Sequence, residues 1–192
     1  MKSLSLSKPH VLIMVGIPGS GKSFFAEKFA DTFHAPQVSL STITSVVSDE
    51  ATASKIADLQ LKELLKTKQS VIVDGLAHSR AQRMELTKLA HDADYDTLLV
   101  WVQTDPATAK ARALKDKNQS ADEYDKQTKR FAAPLASEKP VVISGKHTYA
   151  TQAKVVLKKL SNPRAEISTH STPPVRVEPT QPTSTRRNIT IR

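Results

Sequence analysis

The chain contains no cysteine. That excludes disulfides and thiolate metal sites, and it fits a reducing cytoplasm, the expected location. Aromatic residues make up 5% of the chain, with one Trp and three Tyr, so no base-stacking platform is evident. No apolar run approaches the roughly 20 residues that span a bilayer, so no membrane partner is expected. The start, "MKSLSLSKPHVLIMVGI", is interrupted by Lys8 and Pro9 and reads as a first strand, not a targeting segment. Glycine is scarce, with five in all. Three of them fall within six positions (Gly16, Gly19 and Gly21), and the other two, Gly75 and Gly145, each follow an apolar run.

Positive charge, by contrast, is in excess. The net charge is +9, of which the five Arg and two Glu of residues 161–192 supply +3, leaving +6 on residues 1–160. Such a balance favours anionic partners such as nucleotides or nucleic acid, and is also an ordinary solubility feature.

Four short apolar runs organise the chain: residues 10–16, 70–75, 97–103 and 140–145, with a weaker fifth at 37–40. They are nearly continuous, as strands buried on both faces are. Helical stripes lie between and after them: Ala57, Leu61, Leu64 and Leu65; Leu86, Leu89, Ala90 and Ala93; Ala150, Ala153, Leu157 and Leu160. Alternating strand and helix predict an α/β domain over residues 1–160 with a parallel sheet. Residues 161–192 carry five prolines, many Ser/Thr and little periodicity, and read as a disordered basic tail.

The clustered glycines belong to "GIPGSGKS", Gly16 to Ser23, which fits G-x-x-x-x-G-K-[ST] between a buried strand and a helix. In this P-loop pattern the backbone of Gly19, Ser20, Gly21, Lys22, Ser23 and Phe24 cradles phosphates. Lys22 reaches the β- and γ-phosphates, and the Ser23 hydroxyl ligates Mg²⁺. Asp74 ends a strand and is the second expected Mg²⁺ group. "DG" is also a hairpin signal, but a helical stripe follows it, which favours a strand-to-helix turn.

"GIPGSGKS", "VIVDGLAHSRAQR" and "LLVWVQTDPATAKARALKDKN" together resemble the polynucleotide kinase-like P-loop kinases, with zeta-toxin-type kinases as wider relatives. The resemblance covers roughly residues 10–145. It implies a three-layer fold with five parallel strands in order 2-3-1-4-5, flanked by helices. It also implies transfer of the ATP γ-phosphate to a hydroxyl acceptor, either a nucleic-acid 5′-hydroxyl or a small metabolite. A mobile lid over about residues 110–131 would carry Arg112 to the transferring group, so Lys22, Asp74 and Arg112 are the expected catalytic residues. Arg130 is a second lid candidate, Arg80 a candidate for substrate phosphate, and Gly145 and Lys146 match the turn that passes the adenine ring.

The chain departs from the pattern in two places. Ala77 stands where relatives often have Asn. Ser41 and Thr42 stand where relatives place the carboxylate that accepts the proton of the attacking hydroxyl. Asp49 and Glu50 are the nearest acids, at an expected helix start capped by Ser48. These departures keep a second reading open: a nucleotide-dependent binding or regulatory protein with weak catalysis.

Overall fold

The computed structural model describes residue 6 and residues 8–115 and 120–161. The expected tail lies outside the described residues, except for Ser161, which ends the last helix. Residues 116–119, part of the expected lid, also lie outside them.

All five expected strands form: β1 (His10–Val15), β2 (Gln37–Ser39), β3 (Val71–Asp74), β4 (Asp96–Gln103) and β5 (Val141–Ser144). They make one parallel sheet in order β2-β3-β1-β4-β5, the order expected. All six residues of β1 are buried, because both its faces are covered. Alternation along the strand divides the core into two layers. Val11, Ile13 and Val15 face one side, where α3 (Glu50–Leu65) packs through Ala53, Ala57, Leu61 and Leu65, and α4 (Arg80–Asp92) through Leu86 and Ala90. Leu12 and Met14 face the other, against Phe25, Ala26 and Phe29 of α1 (Lys22–Phe33) and Ala153, Val156 and Leu160 of α7 (Tyr149–Ser161). The result is the three-layer α/β fold.

Three local details differ from the sequence reading. A short helix, α2 (Leu40–Thr44), follows β2, with the Ser39 hydroxyl accepting from Thr42 N. The cap of α3 is Asp49 rather than Ser48, and its carboxylate accepts from Thr52 N at 2.8 Å. The stripe on α7 is rotated: Ala150 is exposed, while Gln152 and Val156 are buried. The Gln152 amide donates to the Ser144 carbonyl at 2.7 Å, which draws that face toward the sheet.

Beyond β4, α5 (Pro106–Lys115) and α6 (Ala121–Arg130) pair through Lys110 and Asp125 at 2.9 Å and through buried Tyr124. A segment bearing a single helical turn at Ala136–Glu138 returns the chain to β5.

Candidate nucleotide site

The five parallel strands end on one side of the molecule, and the loop from Gly16 to Gly21 lies at the end of the central one. Ligands in open α/β sheets bind outside these strand ends. Gly19 and Gly21 have φ of 72° and 99°, values that L side chains resist. At Gly21 a Cβ would meet open space, so backbone conformation alone requires glycine there. At Gly19 a Cβ would also collide with the Ala109 carbonyl, so α5 rests directly on the loop.

Gly21 is the N-cap of α1 and brings no side chain to it, and the first turn holds no acid. The N–H groups that open a helix have no partner within it. Here they are left for an anion, and the helix dipole favours one. Lys22 and Ser23 are half-buried in this first turn, whereas Phe24 is 57% exposed on the outer face. Ser20 is buried, and its carbonyl accepts from Thr104 Oγ1 at 2.9 Å, tying the loop to the end of β4. A Cβ on Gly145 would strike that same carbonyl and Thr104 Oγ1, so the β5–α7 turn is also pressed against the loop.

Asp74 is 2% exposed, and its Oδ1 has no hydrogen-bond partner. Buried polar atoms are nearly always paired, so an orphan carboxylate oxygen acting on the Lys22 charge fits a cation ligand. Lys22 lies within electrostatic reach of Asp74. Burial lowers the pKa of the Lys22 amine, and Asp74 partly opposes that shift. Among the described residues no cluster of three or more His, Asp or Glu could hold a metal alone.

His78, on the loop after β3, is half-buried and feels Lys22, Asp74 and Glu50. Burial first, then the Lys22 charge, lowers its pKa, leaving a neutral imidazole at pH 7. Ala77 is buried. Ser79 caps α4 as expected, in a reciprocal pair with Gln82. Arg80 is exposed at the start of α4.

Ser41 and Thr42 lie on α2, and the Ser41 and Ser39 hydroxyls pair at 2.9 Å. Asp49 Oδ2 caps α3, accepting from Thr52 N at 2.8 Å. On α5, the exposed Arg112 guanidinium donates to the Gly145 carbonyl at 3.0 Å. Arg130 is exposed and sits 3.8 Å from Glu50.

Sequence reasoning missed one anchor. Arg83 is 2% exposed; its Nε and Nη2 donate to the two carboxylate oxygens of Glu138 at 2.7 and 3.0 Å, and its Nη1 to the Ala132 carbonyl at 2.8 Å. Ala132 N donates to the His78 carbonyl at 2.9 Å. These bonds fasten the segment after α6 to α4 and to the loop carrying His78. The available signal was the placement of Arg83 on the same helical face as Leu86 and Ala90.

This fold and loop define a P-loop NTPase domain. A model of the AAA domain family matches residues 11–141, so the chain belongs to that family. Its fold is similar to a gluconokinase from Sinorhizobium meliloti 1021, at TM-score 0.62 and 16% identity, covering 80% of this chain and 93% of that one. It is similar to the Mycobacterium tuberculosis APS kinase CysC, solved with AMPPNP and APS, at TM-score 0.62 and 16% identity, covering 80% and 98%. It is also similar to Chaetomium thermophilum Kti12, solved with ADP-AlF3, at TM-score 0.59 and 16% identity, covering 79% and 97%. No curated protein matches the chain.

Proposed function

We propose that the chain is an ATP-dependent phosphotransferase that moves the γ-phosphate to a hydroxyl acceptor. The observation that carries this reading is the uncapped start of α1 together with a buried carboxylate, Asp74, that has an unpaired oxygen and acts electrostatically on Lys22 in the first turn of that helix. The N–H groups of Gly19 and of residues 21–24 hold phosphate oxygens, while Ser20 N donates to the Ile17 carbonyl at 3.1 Å, and Lys22 neutralises charge on the β- and γ-phosphates. Ser23 and Asp74 would hold Mg²⁺, which would supply charge neutralisation for the phosphates when bound. An acceptor oxygen forms its bond to Pγ as the bond from Pγ to the β,γ-bridging oxygen breaks. ADP leaves, and the hydroxyl proton passes to a base or to water. Arg112 leaves the Gly145 carbonyl when α5 and α6 close and then faces the transferring group. Gly145 remains as the wall of the nucleotide side.

The acceptor is either a nucleic-acid 5′-hydroxyl or a small metabolite. Positive charge and the polynucleotide kinase-like motifs support the first, and the names of the gluconokinase and APS kinase support the second. The basic tail of residues 161–192 is a tether or a passive extension. No helix among the described residues is long and apolar enough to cross a membrane.

A second reading, a nucleotide-dependent regulatory protein with weak catalysis, is favoured by one observation. No carboxylate stands at Ser41 or Thr42, and Asp49 is occupied as a cap. The deciding experiment incubates the protein with γ-labelled ATP and Mg²⁺ and offers 5′-hydroxyl DNA, 5′-hydroxyl RNA or a metabolite extract, with Lys22→Ala as control. Label in an acceptor, lost in the variant, supports transfer. Nucleotide binding with no labelled acceptor supports the regulatory reading.

A further inference from the structure

The loop between β3 and α4, residues 75–79, is held residue by residue. Gly75 has φ of 88°, and a Cβ there would come within 2.8 Å of Leu40 Cβ, so the loop rests on the start of α2. Leu76 and Ala77 are buried in the core layer of α3 and α4. The His78 carbonyl accepts from Ala132 N at 2.9 Å, which ties it to the segment after α6. Ser79 caps α4. The side chain at position 78 therefore stands on fixed backbone, as a group that must be aligned with a reacting atom requires.

Charges from three elements act on that half-buried imidazole: Lys22 of α1, Asp74 of β3 and Glu50 of α3. Asp74 acts through charge alone, with no hydrogen bond between the two. Arg130, at the end of α6, stands 3.8 Å from Glu50, and Arg80, at the start of α4, is exposed. Burial first, and then the Lys22 charge, outweigh Asp74 and Glu50, so the ring is neutral at pH 7 and keeps a basic lone pair. The Gly75 backbone engages the ring in a way that favours its N–H.

The neighbouring groups are committed elsewhere. On the proposed reading Lys22 serves the phosphates and Asp74 the cation. Asp49 Oδ2 caps α3. The Ser39 and Ser41 hydroxyls pair with each other, and a hydroxyl is no base near neutral pH. Glu50 is exposed and sits beside the Arg130 guanidinium. Ser39 stands in register with Asp74, and Leu40 abuts Gly75. The helix that lacks an acid and the loop that carries the imidazole are thus direct neighbours.

We propose that His78 accepts the proton of the attacking hydroxyl, in place of the carboxylate absent from α2. The role rests on the phosphotransfer reading. The acceptor oxygen forms its bond to Pγ, the bond from Pγ to the β,γ-bridging oxygen breaks, and that electron pair leaves with ADP. The hydroxyl proton moves to the unprotonated imidazole nitrogen, and the imidazolium releases it to solvent after the products depart. A water molecule in the acceptor's place loses its proton to the same nitrogen, so ATP hydrolysis carries the same dependence.

The test follows label from γ-labelled ATP with Mg²⁺ from acid to mildly alkaline pH. The acceptors are a 5′-hydroxyl DNA oligonucleotide, a 5′-hydroxyl RNA oligonucleotide, D-gluconate, and water alone. Turnover of the native chain should rise with pH through one ionisation and level off near neutrality. In His78→Ala and His78→Gln that acid limb should vanish, and the plateau should fall about 100-fold, the low end for proton-transfer catalysis. Free imidazole in the buffer should restore part of the rate of His78→Ala and leave the native rate unchanged. Calorimetric affinity for a non-hydrolysable ATP analogue should stay within about twofold in both variants. An acid limb that persists in both variants, or full activity of His78→Gln, overturns the assignment and leaves phosphotransfer standing. So does a limb removed by Glu50→Gln instead, because the proton would then go to Glu50. A rate lost in step with affinity for the ATP analogue also overturns it, as a structural role would give that result. A native chain that labels no acceptor and hydrolyses no ATP defeats the phosphotransfer reading, and the role of His78 with it.

Discussion

Removing the Glu138 carboxylate tests what holds the segment after α6 to the core. The Glu138 side chain is 15% exposed and accepts from three donors: Arg83 Nε, Arg83 Nη2 and, at 2.7 Å, Leu135 N. Glu138→Ala leaves the Arg83 guanidinium buried with one remaining acceptor, the Ala132 carbonyl. Breaking a buried pair from one side costs about 3–5 kcal/mol, much of it the uncompensated charge. In a domain of this size that lowers the melting temperature by about 6–20 °C. Thermal and urea unfolding followed by circular dichroism measure both quantities. Replacing both partners together, Arg83→Met with Glu138→Leu, should recover most of the loss, since well-packed apolar groups replace such pairs at little cost. The effect also carries a pH signature. The Arg83 hydrogen bonds hold the Glu138 pKa below its ordinary value, against burial. A depressed carboxylate contributes its full stability above the unfolded value of about 4.3 and loses it as pH falls through the folded value. The gap between wild type and Glu138→Ala should therefore be constant near neutrality and narrow in acid. A loss below about 1 kcal/mol, the size of an exposed pair, or a gap insensitive to acid, refutes the argument.

Three further outcomes follow from the loop and its neighbours. Gly21→Ala should cost about 1–2 kcal/mol through its positive φ alone, and Gly19→Ala measurably more, because a Cβ there also displaces α5; equal costs in denaturant melts would contradict the contact with Ala109. Asp74→Asn should fold normally yet weaken Mg²⁺-dependent nucleotide binding by about 10–100-fold, read by calorimetry with and without the metal; unchanged Mg²⁺ dependence would remove Asp74 from the metal site. The His78 imidazole should titrate below the ordinary value of about 6.5 in an NMR pH series, and Lys22→Ala should move it upward, since the Lys22 charge contributes to the depression; titration at or above the ordinary value in the native chain contradicts the burial and charge described for it.

The strands were legible because parallel strands buried on both faces read as continuous apolar runs, and β1, β3 and the buried stretch of β4 are of that kind. The phosphate loop was legible because every requirement it meets is local, from its glycines to the helix that follows. Helix α2 was not: five residues reading LSTIT are too short to show a period, and the helix depends on the Ser39 cap. The cap of α3 moved by one residue because Ser48 and Asp49 are both good caps, and only the geometry of Thr52 separates them. The face of α7 turned because a buried glutamine, bonded to the end of β5, does not register in a pattern built on apolar residues. The Arg83–Glu138 pair joins residues 55 apart in the chain, and nothing local in either segment signals the other. The same holds for Trp101 and Phe131, which meet in one cavity only after α5 and α6 fold back.

The absent carboxylate at Ser41 and Thr42 bears differently on binding and on transfer. On the proposed reading, phosphate holding draws on backbone N–H groups and Lys22, with Asp74 at the metal; Asp74 pairs in register with Ser39 of β2, but none of these groups uses a side chain at position 41 or 42. It is therefore indifferent to that absence. Transfer needs somewhere for the hydroxyl proton to go, and the helix that should supply an acid offers paired serine hydroxyls instead. Phosphoryl transfer asks little of a base, because its loose transition state develops little nucleophile charge before the bond to the leaving oxygen weakens. The larger share of the barrier is met by alignment and by charge already in place, and both depend on the geometry of the loop, α5 and the pinned segment behind Phe131. On that argument the reaction should survive without an acid on α2 but be slow, and its rate should respond more to loosening the Glu138 anchor than to any substitution at Ser41. Comparing single-turnover rates of Glu138→Ala and Ser41→Ala below their melting temperatures checks this ordering; a larger loss at Ser41 would place the missing chemistry on α2 after all.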